Sequence, residues 1–393
     1  MKKTFLLFGS SIFALLMGEA TLRFAGFSYP NFYHCDWHTG AVLKPKSEGW
    51  WRWEGEAYIR INSHGMRDDR EPVVPKPADV FRIVVLGDSY VEAIQVDVSA
   101  TFWRILESEL QRCAYAGGKR IEVLNFGVSG YSTAQELITL RERVKPFQPD
   151  LVLLAFLSGN DVRDNSRAIA GAYPRPYFFI QNGHLVADNS FREHWIFRLK
   201  ASWAWNALQT ASDYSRVIQL FNRAKNVLAQ PLSAPQTENR GKTEVVLEDH
   251  IYLSSPPDEW EEAWQITEAL ILAIREESAR QGARFLLVTL TNGIQVTPDA
   301  AAASAYAKRL GEKDLFYPEK RMRALAEREG LDAVFLAETA AQYARSNRVY
   351  LHGFQNAVLG DGHWNEAGHR FAAEQIACHL CANSDLPART SKE

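Results

Sequence analysis

The stretch Phe81-Arg82-Ile83-Val84-Val85-Leu86-Gly87-Asp88-Ser89-Tyr90 decides how this chain is read. A short apolar run stops abruptly at Gly87-Asp88-Ser89. A buried strand followed at once by a small, polar, nucleophile-bearing turn is where α/β enzymes carry their chemistry. A lone serine after a strand is usually an ordinary turn residue, so Ser89 gains weight only if the rest of the chain supplies partners for it.

Outward from this stretch, strand and helix patterns alternate. Arg82–Leu86, Glu122–Phe126, Leu151–Phe156, Arg284–Leu290 and Ala333–Leu336 read as strands. Leu151–Phe156 is almost wholly apolar, as a strand covered on both faces should be. Between them, Thr101–Arg112, Thr133–Val144, Trp260–Gln281, Pro318–Glu329 and Asn365–Leu380 carry helical patterns; Phe102, Ile105, Leu106 and Leu110 mark the apolar face of the first. This alternation predicts a parallel sheet with helices on both faces. Residues 166–245 break the rhythm with an aromatic patch, a hairpin signal at Asn182-Gly183 and a helical run from Trp195 to Leu228. They read as an inserted cap whose polar segment 230–242 leads back to the core.

The expected organisation is an amino-terminal segment 1–26, an extension 27–79, a catalytic domain 80–382 containing the insertion, and a tail 383–393. Lys2 and Lys3 precede an apolar run of about 15 residues, short of the ~20 needed for a standard span. That run reads as a cleaved export signal or as an uncleaved membrane helix, which place the remainder outside the cytoplasm, periplasmic or held at the membrane; a buried first helix of a cytosolic protein is the competing reading. A net charge of −3 and the lack of a dense Lys/Arg run exclude a nucleic-acid footprint. Of the four cysteines, Cys378 and Cys381 have C-x-x-C spacing without a second such pair, which argues against zinc. A disulfide between them and two reduced thiols on a terminal helix both stand.

A hydrolytic serine needs a base, a group that orients the base, and donors for the oxyanion. Asp361-Gly362-His363-Trp364-Asn365 opens the closing helix. His363 is the candidate base, and Asp361, two residues earlier, the candidate orienting acid. Gly130 follows the second strand and can offer its backbone N–H at close range. Asn160 follows the third strand and can offer its side-chain amide. In a parallel sheet the carboxyl ends of the strands open on one edge, so Ser89, Gly130 and Asn160 are expected to converge. A metal site on Asp361, His363 and His369 lacks a supporting acidic or histidine cluster, and no metal is expected.

Gly87-Asp88-Ser89, Gly130, Asn160 and Asp361-x-His363 stand in the order of the four blocks of the SGNH, or GDSL, hydrolases, which the chain resembles over about 80–165 and 250–382. The resemblance implies a flavodoxin-like three-layer α/β/α sandwich and no cofactor. It also implies Ser89 as nucleophile, His363 as general base and acid, Asp361 as orienting acid, and an oxyanion hole of Ser89 N–H, Gly130 N–H and the Asn160 amide. Many members carry the acid three residues before the histidine, where this chain has Gly360, so another carboxylate is an open alternative to Asp361. The Asp-x-His-Trp pattern is similar to SGNH-type polysaccharide O-acetyltransferases.

The expected substrate is a small-molecule or glycan ester, with O-acetyl groups foremost. The sequence has 11 tryptophans, and Trp50, Trp51 and Trp53 cluster where indole faces could stack on sugars; packing of the extension on the core is the competing role. Trp364, beside His363, and Asp88, beside Ser89, are further candidates for substrate contact, although Asp88 in the family mainly braces the nucleophile turn. Three functions follow: an esterase passing the acyl group to water, an O-acetyltransferase passing it to a glycan hydroxyl through the same serine, and a non-catalytic glycan-binding or assembly protein on this scaffold.

Overall fold

The computed structural model describes residues 2–229 and 249–383. The polar segment expected at 230–242 and the tail from 384 lie outside the described residues.

The chain first forms a helix, Lys2–Phe24, and then two antiparallel hairpins. These are β1 (Tyr33–Asp36) with β2 (Gly40–Leu43), and β3 (Glu48–Trp51) with β4 (Ala57–Arg60). The central strands follow as β5 (Val80–Leu86), β6 (Arg120–Asn125) and β7 (Leu151–Phe156). A third hairpin, β8 (Tyr177–Gln181) with β9 (His184–Asp188), turns at Asn182-Gly183. The core then closes with β10 (Arg284–Thr289) and β11 (Ala333–Phe335).

Five of these strands form one sheet in the order β6-β5-β7-β10-β11, every pair parallel. Numbered along the chain, that is the flavodoxin-like order 2-1-3-4-5, whose direction reverses between its first and third strands. The expected parallel sheet and its flanking helices are thus present.

The strands alternate their side chains between two cores, as period-two pleating requires. Ile83, Val85, Leu153 and Val288 face the helices Phe102–Arg112, Ala337–Asn347 and Glu366–Ala382. Val84, Leu86, Leu154 and Leu287 face Thr133–Thr139, Asp258–Arg280 and Tyr317–Glu329. The region 195–228, read as one helical run, is three helices: Trp195–Lys200, Trp203–Tyr214 and Arg216–Ala229. Ser202 and Ser215 interrupt the run, and the Ser202 hydroxyl accepts the Trp205 N–H at the start of the second helix.

The extension 27–79 had no periodic signal because its strands are four residues long. It is nonetheless ordered on its own small core of Phe32, Leu43, Ile59 and Ile61, which reaches Ile94, Val128 and Tyr131 on the loops after β5 and β6. Each such buried aliphatic side chain contributes about 1.5–3 kcal/mol. Buried Arg67 ties the extension down by donating to the Glu92, Ala93 and Val96 carbonyls.

Two expectations are corrected. The amino-terminal helix is present, but among the described residues no helix is long and apolar enough to cross a membrane. Glu19 interrupts its apolar character, and the Glu19 carboxylate accepts the Arg216 and Val217 N–H groups at the start of the helix Arg216–Ala229. The second correction concerns cysteine pairing. Cys381 bonds Cys113, 268 residues away, and Cys378 is a free, exposed thiol. The helix Glu366–Ala382 packs on Phe102–Arg112 and brings the two sulfurs together. Peptide mapping without reductant should recover a Cys113–Cys381 cross-link. Cys381→Ser should lower the unfolding free energy by about 2–4 kcal/mol while Cys378→Ser leaves the melting temperature unchanged.

Candidate active site

Ser89 is the first residue of a short helix, Ser89–Glu92, that starts directly after β5. Its position is tightly constrained. A Cβ on Gly127, two residues past β6, would stand 2.6 Å from the Glu92 backbone nitrogen, so only glycine admits that helix so close to the sheet.

His363 arrives from the loop before the closing helix, and its Nε2 lies 2.8 Å from Ser89 Oγ. The pair predicted from opposite ends of the chain is therefore in hydrogen-bond contact. Asp361 makes a backbone contact beside the ring. Its Oδ1 accepts the Gly362 N–H at 2.8 Å, a local turn contact. The carboxylate on Nδ1 belongs to Glu54, whose Oε2 lies 2.6 Å from that nitrogen and whose Oε1 accepts the His363 backbone N–H at 2.7 Å. A residue two positions away on a tight loop can reach its neighbour's backbone more readily than the far side of its ring. Glu54 comes in from outside and grips both.

Glu54 stands in the turn between β3 and β4. Trp51 Nε1–H donates to its carbonyl at 2.9 Å. Gly55 and Asn356 exchange two hydrogen bonds of 2.9 Å, which pin this turn to the loop leading to His363. Gly362 is required here as well. It has φ +77°, and a Cβ on it would meet Glu54 Oε1 at 2.3 Å. Burial acts to raise the Glu54 carboxyl, but the hydrogen bonds and positive charge offered by His363 outweigh it and hold the group below the ordinary glutamate range. The sequence carried one hint of this residue, the two-residue spacing of Asp361, which left the orienting role open to another carboxylate.

The oxyanion candidates lie on the segments that follow β6 and β7. Asn160 lies in the first turn of a helix, Ser158–Asn165, and not in the plain turn expected. One of its amide hydrogens goes to Asp88 Oδ2 at 2.7 Å. Gly130 is exposed, takes the left-handed φ of 76°, and has nothing within 4 Å of where a Cβ would be.

The two further substrate-contact candidates are corrected. Asp88 is fully buried and accepts from the Tyr90 N–H and from Asn160, so it braces the nucleophile turn. Burial pushes its carboxyl upward, against those two donors. Trp364 is buried, and its Nε1–H donates to Thr291 Oγ1 at 2.8 Å. His352 completes this support, with Nε2 at 2.8 Å from Thr291 Oγ1 and Nδ1 at 2.8 Å from the Gly362 carbonyl. Burial lowers the His352 pKa to about 4, keeping the ring neutral. His369, also buried, accepts the Phe102 N–H at 3.3 Å and stacks on that ring, away from any metal set. No group of His, Cys, Asp or Glu able to hold a metal occurs among the described residues.

No family model and no curated protein matches the chain. Solved structures do resemble it. An acetylxylan esterase from Geobacillus stearothermophilus aligns at 13% identity over 76% of this chain and 94% of that one, with a TM-score of 0.38. An alpha/beta hydrolase enzyme from the metagenome of Lake Arreo aligns at 16% over 77% and 97%, TM-score 0.38. TesA aligns at 15% over 76% and 97%, TM-score 0.37. At this degree of likeness, what the site can do follows from its own geometry.

The Glu54 contact has two direct readouts. A downfield His363 Nδ1 proton resonance should be present in the wild type and in Asp361→Asn, and absent in Glu54→Gln. Stability gives the second. A carboxyl lowered below its unfolded value of 4.5 contributes stability that is fully present above that pH and is lost as pH falls through the lowered value. Thermal melts from about pH 6 down to about pH 3 should therefore show a smaller acid-side decline in Glu54→Gln than in the wild type.

Proposed function

We propose that the chain is a serine ester hydrolase of the SGNH type, with Ser89 as nucleophile, His363 as general base and acid, and Glu54 as the orienting carboxylate. The continuous array of Ser89 Oγ, His363 Nε2 at 2.8 Å and Glu54 Oε2 on Nδ1 at 2.6 Å carries this reading. Its members come from three separate segments and meet in the order a base-activated serine requires.

Ser89 Oγ attacks the ester carbonyl while its proton passes to His363 Nε2. The Ser89 N–H, the Gly130 N–H and the Asn160 amide hydrogen not engaged by Asp88 receive the oxyanion. The C–O bond to the alcohol breaks, and His363 returns the proton to that leaving oxygen. Water then attacks the acyl-Ser89 ester, giving its proton to His363, and the acid departs as Ser89 Oγ is reprotonated. Glu54 keeps Nδ1 protonated and offsets the positive charge of the imidazolium.

An exported location belongs to the same proposal. It is supported by Lys2-Lys3 and the apolar run behind them, and by the Cys113–Cys381 bond, since disulfides persist in oxidising compartments.

A chromogenic acetyl ester tests the reading. Ser89→Ala should lower kcat by about 10⁴-fold or more, and Glu54→Gln by roughly 10²–10⁴-fold, because loss of the carboxylate frees the wrong tautomer. Asp361→Asn should stay within about threefold of the wild type. A folded wild type without turnover, or equal losses in Asp361→Asn and Glu54→Gln, would refute it.

A further inference from the structure

A cleft of about 720 Å³ opens between the extension and the helices Trp203–Tyr214 and Arg216–Ala229. Trp50, Trp51 and Trp53 line one wall and Trp205 the other, with Gln209 and Asn222 among the polar side chains between them. We propose that this cleft binds a glycan chain and presents it to the Ser89 site. As a statement about substrate, this rests on the esterase reading; as a statement about binding, it stands apart from it.

The lining matches sugar chemistry on both counts. A pyranose ring is amphipathic, with an apolar C–H face and a rim of hydroxyls, and an indole face with neighbouring amides satisfies both. Trp50 and Trp53 remain 38% and 44% exposed although each is large and apolar, and each ring also carries a guanidinium, Arg52 at 4.5 Å from the Trp50 centroid and Arg223 at 5.7 Å from that of Trp53. They are also held in place. Tyr58 meets Trp50 edge-on at 5.5 Å, and Tyr29 meets Trp53 edge-on at 6.0 Å. Rings fixed before the ligand arrives lose little freedom on binding. A fatty acyl chain, the other class of ligand for an aromatic cleft, would give the Gln209 and Asn222 amides and the Lys225 ammonium no polar partner.

Two residues of the cleft bond to the segments that carry the site. Trp51 donates its indole N–H to the Glu54 carbonyl. Tyr33 donates its hydroxyl to Glu92 Oε1 at 2.8 Å, and the other Glu92 oxygen accepts the N–H of Ser129, next to Gly130. The cleft wall is thus shared with the turn that carries the orienting acid and the loop that carries an oxyanion donor. Trp51 is three residues from Glu54, no more than about 11 Å of chain.

The test uses the full chain carrying Ser89→Ala, so that binding is read without turnover. It is titrated by calorimetry and tryptophan fluorescence with cellohexaose, hexagalacturonate and decanoate. The expected result is saturable binding of at least one hexasaccharide. It should weaken about tenfold or more in Trp50→Ala and Trp53→Ala and be partly recovered in Trp53→Phe, with Asn222→Ala weakening it independently. Wild-type affinity in all of these variants would overturn the proposal. So would response to decanoate alone, or no binding of either sugar by the folded chain at about 10 mM. Sugar binding by a chain whose Ser89-intact form is inert toward the acetyl reporter would uphold the cleft and strike only the esterase reading.

Discussion

The contact between Glu54 and His363 is the constraint on which the site's construction turns. A histidine at the end of a surface loop has a free χ1 and χ2 and two tautomers. One carboxylate that accepts from both its backbone N–H and its Nδ1–H removes that freedom at once. Much of the amino-terminal extension exists to hold that carboxylate in place. Its small core packs on the loops after β5 and β6, Arg67 fastens it to the carbonyls beyond Ser89, and the Gly55–Asn356 pair locks the turn itself. The extension is therefore part of the site and not a spacer before it.

The sheet supplies the other half of the geometry. Reversal of strand order between β5 and β7 leaves a crevice at their carboxyl ends, and both Ser89 and Asn160 lie just beyond those ends. Asp88 joins the two by accepting from the Tyr90 N–H and from the Asn160 amide, which ties the Ser89 turn to the helix Ser158–Asn165. Behind His363, buried Trp364, Thr291 and neutral His352 brace the loop that carries the base. The aromatic cleft lies on the side of the extension, where its wall and the Glu54 turn are continuous. A chain that binds there is positioned by the same element that orients the base.

Sequence and structure agree where the signal is local or periodic. The five central strands are apolar runs with turn residues at their ends, and the helices between them carry amphipathic patterns. Order along the chain then implies the parallel sheet. Ser89 and His363, which meet in the structure, were legible because each sits in a short polar turn or at a helix start directly beside a strand end or the closing helix. Asp361 was misleading for the opposite reason: proximity in sequence suggested a partnership that the tight turn at Gly362 directs elsewhere. Trp364 and Asp88 were likewise adjacent to reactive residues, yet both are buried and committed to protein hydrogen bonds.

The sequence by itself determined the sheet, its flanking layers and the Ser89–His363 pair, because apolar periodicity and strand-end turns are properties of contiguous residues. Only the tertiary structure decided that Glu54 orients His363, that Cys381 pairs with Cys113, and that four tryptophans face one cleft. Each of these joins segments far apart in the chain, and the residues concerned lie in short hairpins or at helix ends whose own sequence has no period. Their partners are set by which surfaces the two hydrophobic cores press together.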